Sequence, residues 1–189
     1  MKRILLFTSL FTVITATASA QVTFGLKAGP MLTRTYFNVG DTTTGFNDAR
    51  ISFVAGAFVG IPLVKKLSLQ AEVLYAAKGD ANYDQNYIYL PLMLRYEFLP
   101  KLSVEAGAEV GYFLGYISTA INNPRFTDFD VGINAGVNYE LLDKLSVGLR
   151  YNLGVMDVFA FQAQIDPDTR FEPIGKNHSL QLTVGYRFR

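Results

Sequence analysis

The 189-residue sequence contains no cysteine, no tryptophan and a single histidine, His178. Without cysteine there is no disulfide framework, no cysteine-based zinc site, no thiol nucleophile and no lipid-modified cysteine anchor. One histidine excludes most multi-histidine metal sites and leaves a histidine-based triad a single candidate. The formal net charge is only +1, so there is no basic footprint for nucleic acid and none is expected as a partner. After residue 20 no apolar run reaches the length of about 20 residues that a membrane-spanning helix needs. Half of the residues are nevertheless apolar and 17% are charged, too apolar a mixture for a disordered chain. The length suits one domain.

What is present begins with an address. Met1, Lys2 and Arg3 give a positive start, Ile4 to Thr15 is apolar apart from hydroxyl residues, and Ala18-Ser19-Ala20 offers the small residues of a cleavage site. This pattern predicts a secretory signal peptide over 1–20 and a mature domain over 21–189. Without Lys2 and Arg3 the charge turns slightly negative, which says little about partners.

The mature sequence alternates with period two. In 102–116 one face reads Leu102, Val104, Ala106, Ala108, Val110, Tyr112, Leu114 and Tyr116, and in 126–140 one face reads Phe129, Val131, Ile133, Ala135, Val137 and Tyr139. The same rhythm runs through 67–75, 88–98, 145–153 and 180–188, and less cleanly through 22–30 and 50–61. These are eight expected strands, each near the length of about 9–11 residues that a tilted membrane strand requires.

Three tight connections share a motif: Lys66-Leu67-Ser68, Lys101-Leu102-Ser103 and Lys144-Leu145-Ser146. Between them fall longer polar connections at about 31–49, 79–86, 117–126 and 154–176. Strict alternation of short and long connections predicts an antiparallel up-and-down barrel whose ends face different compartments.

A soluble lipocalin-like barrel would share this period with its apolar face turned inward. Three features favour lipid on the apolar face. The strand glycines fall on the polar face, where a narrow eight-stranded interior needs small residues. Aromatics lie near both ends of the apolar face, with Tyr96, Phe98, Tyr139, Tyr186 and Phe188 at the short turns and Tyr75, Tyr112, Tyr116, Phe129 and Tyr151 toward the long loops. Such belts match membrane aromatic girdles. The apolar face also carries no charge, and a charge at the midplane costs about 2–4 kcal/mol. The expected fold is an all-β, eight-stranded transmembrane barrel.

The segments PLVKKLSLQAEVLYAAKGD, YIYLPLMLRYEFLPKLSVEAGAEVGYFLG, FTDFDVGINAGVNYEL, LRYNLGVMDV and KNHSLQLTVGYRFR together resemble, in order, the PorT-like outer-membrane barrels of Bacteroidetes-type bacteria. The resemblance implies a Gram-negative outer-membrane location. It also implies insertion by the barrel-assembly machinery, with the closing strand as signal; here the chain ends Tyr186-Arg187-Phe188-Arg189, one residue past the usual terminal aromatic. The expected orientation has periplasmic termini and extracellular long loops.

The inward face would hold Lys27, Arg95, Arg150 and Arg187 with Glu72, Glu97, Glu105, Glu109, Asp128, Asp130 and Glu140. In so narrow a space these charges are expected to pair and plug the lumen. The alternative is a gated path preferring cations, since acidic residues outnumber basic ones. Carboxylates at 105 and 109, or at 128 and 130, could hold a cation or a proton, but such spacing recurs on any polar strand face. His178-Ser179 suggests an outer-membrane lipid hydrolase, yet adjacent strand residues point to opposite faces. The expected function is therefore a non-enzymatic barrel without cofactor or metal, structural or interactive through its loops. Its expected partners are outer-membrane lipid, lipopolysaccharide and an envelope protein. In the loop 154–176, Phe159, Phe161, Ile165 and Phe171 are the candidate contact residues.

Overall fold

The structure is a computed structural model that describes residues 22–39, 42–44, 49–79, 83–118, 127–158, 163–166, 169–171 and 174–188. The expected signal peptide lies outside these residues, as do the side chains of Phe159, Phe161, Ile165 and Phe171.

Eight strands form the wall: β1 (Thr23–Val39), β2 (Arg50–Val64), β3 (Leu67–Gly79), β4 (Tyr83–Leu99), β5 (Leu102–Ser118), β6 (Phe129–Leu142), β7 (Leu145–Gly154) and β8 (Ile174–Arg187). Each pairs antiparallel with the next, and β8 pairs antiparallel with β1, so the sheet closes on itself. Closure is what a sheet in lipid needs, because an open edge would leave backbone groups without partners in hydrocarbon. Short ladders at Thr42–Thr44 against the end of β1, and between Ala163–Asp166 and Thr169–Phe171, rise at the long-loop end.

Burial decides which face is inside. Lys27, Glu72 and Arg150 are nearly inaccessible at 6%, 3% and 2%, while their neighbours Leu26, Val73 and Leu149 are about half exposed. The charged face therefore turns inward and the apolar face outward, the reverse of a soluble carrier, and the fold is a transmembrane barrel. The backbones approach closely where the inner face is glycine. A Cβ on Gly107 would lie 2.1 Å from the Leu92 carbonyl oxygen, so no side chain fits between β4 and β5 there.

The strands run further toward the long-loop end than the apolar alternation predicts. β1 continues nine residues past Pro30, β3 reaches Gly79 and β4 begins at Tyr83, which shrinks the expected loop 79–86. In these extensions the inner residues stay polar and buried (Thr33, Thr35, Lys78, Gln85) while the outer face acquires Arg34 and Asn86. The apolar signal fades although the ladder continues.

A second difference is a β-bulge. Tyr87 pairs with Phe113 but Asn86 pairs with Gly115, so Leu114 is an extra residue on β5. One added residue exchanges the faces of everything beyond it. Tyr116 pairs with the buried Gln85 and so falls on the inner side of the sheet, apart from the outward Tyr112 and Phe129. Gly115 itself has φ of 150°, a backbone region that L side chains rarely adopt.

The three short turns are built alike. Each is a two-residue connection, and each is preceded by one extra residue on the incoming strand: Leu63, Phe98 or Leu141. The carbonyl of Lys66 accepts the Glu97 amide at 2.9 Å, that of Lys101 the Glu140 amide at 2.8 Å, and that of Lys144 the Arg187 amide at 2.8 Å. A repeated sequence thus gives a repeated hydrogen-bonded rim.

Candidate functional site

The inner face holds two polar clusters, one above the other. The cluster nearer the short turns is centred on Arg150 of β7. Its two terminal nitrogens donate to both oxygens of Glu72 on β3 at 2.7 and 2.8 Å, and its Nε donates to Glu105 on β5 at 2.6 Å. Lys27 of β1 donates to Glu72 at 3.2 Å, Gln70 donates to the same carboxylate at 2.5 Å, and Arg95 of β4 donates to Glu105 at 3.2 Å. The guanidinium fork suits such bidentate carboxylate binding and spans the barrel.

Nearer the long loops the centre is Lys78 of β3. Its ammonium donates to Glu109 and to the Asn152 carbonyl oxygen, both at 2.9 Å, lies 3.6 Å from Asp130, and sits 3.9 Å from the centre of the Tyr89 ring. Asn134 donates to the other Glu109 oxygen at 2.8 Å, and Asn152 donates to Asn134 at 3.2 Å. The Tyr89 hydroxyl donates to Asp130 at 2.5 Å, and Tyr87 donates to Gln85 at 2.9 Å, to which Asn177 also donates at 3.1 Å. Against this polar side lies an apolar wall of Met31, Val54, Leu74, Ala76, Tyr87 and Tyr89, with Phe113 packed on it. The rings of Tyr87 and Tyr89 are 5.3 Å apart, and that of Phe113 meets Tyr87 at 5.4 Å.

The sequence-derived charges thus separate into groups. Lys27, Glu72, Arg95, Glu105, Glu109, Asp130 and Arg150 meet in the lumen. Glu97, Glu140 and Arg187 stand at the short-turn mouth, where Glu140 and Arg187 are 3.4 Å apart and more than a third exposed and Glu97 is exposed. Asp128 is exposed in the bend before β6, where its carbonyl accepts the Phe113 amide, so it does not join the buried set. The Asp128 and Asp130 pair is thereby split.

The residue that sequence reasoning missed is Lys78. It shares the parity of Glu72 and would have been found by extending β3 beyond Tyr75. With Lys78 included, four cations (Lys27, Lys78, Arg95, Arg150) face four carboxylates (Glu72, Glu105, Glu109, Asp130). The acidic excess expected of the lumen disappears. Each of these four carboxylates has a cation within 4 Å, Glu109 and Asp130 sharing Lys78.

On the outer wall, Tyr75, Tyr96, Phe98, Tyr112, Phe129, Tyr139, Tyr151, Tyr186 and Phe188 alternate with inward residues, and all but the half-buried Tyr75 are exposed. His178 points outward too. Its Nδ1 is 2.9 Å from the Tyr151 hydroxyl, and its ring centre is 4.6 Å from that of Tyr36. Ser179 faces inward at 2% exposure, so the two residues do not form a dyad.

Comparison with solved structures agrees with this architecture. The chain is similar to Neisserial surface protein A at 13% identity and a TM-score of 0.52, with 87% of this chain and 97% of that one covered. It is also similar to the outer membrane protein OprG from Pseudomonas aeruginosa at 10% identity and a TM-score of 0.50, with 90% and 97% covered. At such identities the likeness shows the fold alone. No curated protein matches the sequence. A family model described as outer membrane protein beta-barrel domain matches residues 4–188, and with its closed eight-stranded wall and charged interior the chain belongs to that family.

Proposed function

We propose that the protein is a non-conducting, non-enzymatic barrel of the PorT-like group in the outer membrane of a Gram-negative bacterium, acting through its surfaces. The observation that carries this reading is the charge-balanced network across the lumen, in which Arg150 and Lys78 each tie strands on opposite sides of the barrel. Burying charges is tolerable only where they are paired in this way. A cation-preferring channel loses its support because cations and carboxylates inside are equal in number. The test is single-channel recording on the purified mature protein in planar bilayers, with a heat-dependent gel shift to establish folding. A folded protein that passes no discrete current is the expected result; stepwise current from unmodified protein would overturn the reading.

The two-residue turns support a periplasmic end, and the longer connections an extracellular one. Strand β8, which closes the barrel against β1, supports delivery by the barrel-assembly machinery. On the outer wall toward the long loops, Arg34 pairs with His178 and Tyr36 with Lys176 across the β1–β8 seam. The Arg34 guanidinium lies 5.2 Å from the Tyr36 ring centre, and its Nε has no acceptor. A cationic and aromatic patch at this height suits the phosphates of lipopolysaccharide, and an envelope protein is the partner we place at the loops. Since a charge-assisted hydrogen bond contributes about 1.5–3 kcal/mol, R34Q/K176Q is expected to weaken lipopolysaccharide retention by at least about tenfold. Native mass spectrometry of the detergent-purified protein measures this, and unchanged lipid occupancy would remove the patch as the lipid site.

A further inference from the structure

The repeated Lys-Leu-Ser motif has no part in the plugged lumen, yet its three copies converge. Ser68 pairs with Pro62, Ser103 with Glu97 and Ser146 with Glu140, each just before the extra residue of its turn. Equal registers bring the three serines to one level of the inner face. There they line a cavity of about 230 Å³ at the short-turn mouth, and Lys66, Lys101 and Lys144 line it with them.

This cavity is more than a rim of solvated lysines. Gln70 and Ser103 on its wall are 4% and 8% exposed, so it reaches below the solvated rim to buried polar residues. Arg95 also lines it, with a buried Nε that has no acceptor. Apart from Arg95, which holds Glu105 in the lumen, Lys65 and Arg187 bring the lining cations to five against the carboxylates of Glu97 and Glu140, and Glu140 is already engaged by Arg187. In contrast to the balanced lumen, the mouth has a clear positive excess. Lys101, moreover, holds a φ of 68°, where glycine would sit without strain.

We propose that the short-turn mouth binds a phosphate-bearing anion. Serine hydroxyls, ammonium groups and a guanidinium fork around one space are the donors that a tetrahedral oxyanion accepts. A water molecule takes up about 30 Å³ in the liquid, so the cavity accommodates a phosphate group with a small moiety attached. A soluble phosphorylated molecule and the headgroup of a bordering lipid would both supply that chemistry.

The test uses the full mature barrel in dodecyl maltoside, titrated with inorganic pyrophosphate by isothermal titration calorimetry. Saturable one-site binding is expected, weakening with added salt. It should weaken at least tenfold in K66Q/K101Q/K144Q and measurably in S68A/S103A/S146A, with both variants folded by gel shift. The same comparison in the R34Q/K176Q background removes any pyrophosphate bound at the patch of the other end. Absence of saturable binding, or equal affinity in the triple lysine variant, would overturn the proposal. Repeating the titration in nanodiscs separates the sources. Loss of pyrophosphate binding in phosphatidylglycerol discs but not in phosphatidylcholine discs identifies a lipid headgroup as the occupant. Equal binding in both identifies a soluble one.

Discussion

Arg150→Met is expected to destabilise the folded barrel by about 3–5 kcal/mol, the range for removing one partner of a buried ion pair. Arg150 supplies both strong bonds to Glu72 and the shortest bond to Glu105. Without it, among the described residues, Glu72 keeps Lys27 and Gln70, and Glu105 keeps Arg95 at 3.2 Å. The volume of methionine is close enough that the loss comes from charge rather than from a cavity. The measurement is urea unfolding in lipid vesicles followed by the gel shift, because the protein has no tryptophan to report by fluorescence. A companion variant, K27M/E72Q/R95M/E105Q/R150M, removes all five interlocked charges of this cluster together and is expected to regain most of the loss. Replacing a whole buried ionic group by neutral residues is often harmless where breaking it is not. Equal damage in both variants would mean that shape, and not charge pairing, holds this level of the barrel.

Most of the wall is legible in the sequence. Outward Leu, Val and Tyr alternate with inward polar residues over enough of each strand that period two cannot be mistaken, and the Lys-Leu-Ser repeat marks the short turns. What escaped has local physical causes. Ala76-Ala77-Lys78-Gly79 offers small or polar residues on both faces, so the clear alternation ends at Tyr75, before the strand does, and Lys78 falls outside it. The bulge at Leu114 adds one residue without changing composition, and nothing in the alternation announces that Tyr116 changes sides. Parity also says which face a residue takes, but not which residue it meets across the lumen. Arg150 and Glu72 are 78 positions apart, and only the stagger of the closed barrel sets them at one height. Charge could be counted from the sequence, but balance required the pairing.

The second large effect concerns passage through the lumen. K78S/R150S/E72Q/E109Q is expected to turn a silent barrel into one that passes small ions in discrete steps. Two cations and two carboxylates are removed together, so the lumen stays neutral overall; Arg95 keeps Glu105, while Lys27 and Asp130 lose their ion-pair partners. The methionine control below carries the same loss, so a difference between the two variants is one of space. Serine at 78 and 150 removes the two long side chains that bridge opposite strands, from Lys78 to Glu109 and Asn152 and from Arg150 to Glu72 and Glu105. Water entering at that level would join the cavity already present at the short-turn mouth. The control K78M/R150M/E72Q/E109Q removes the same charges but keeps the side-chain length, and it should stay silent. Both are recorded in planar bilayers after the gel shift shows them folded. Current in the serine variant alone would locate the barrier in the reach of Lys78 and Arg150. Silence in both folded variants would instead place it in the apolar wall, where Tyr87, Tyr89 and Phe113 pack ring against ring and close the lumen without any charge.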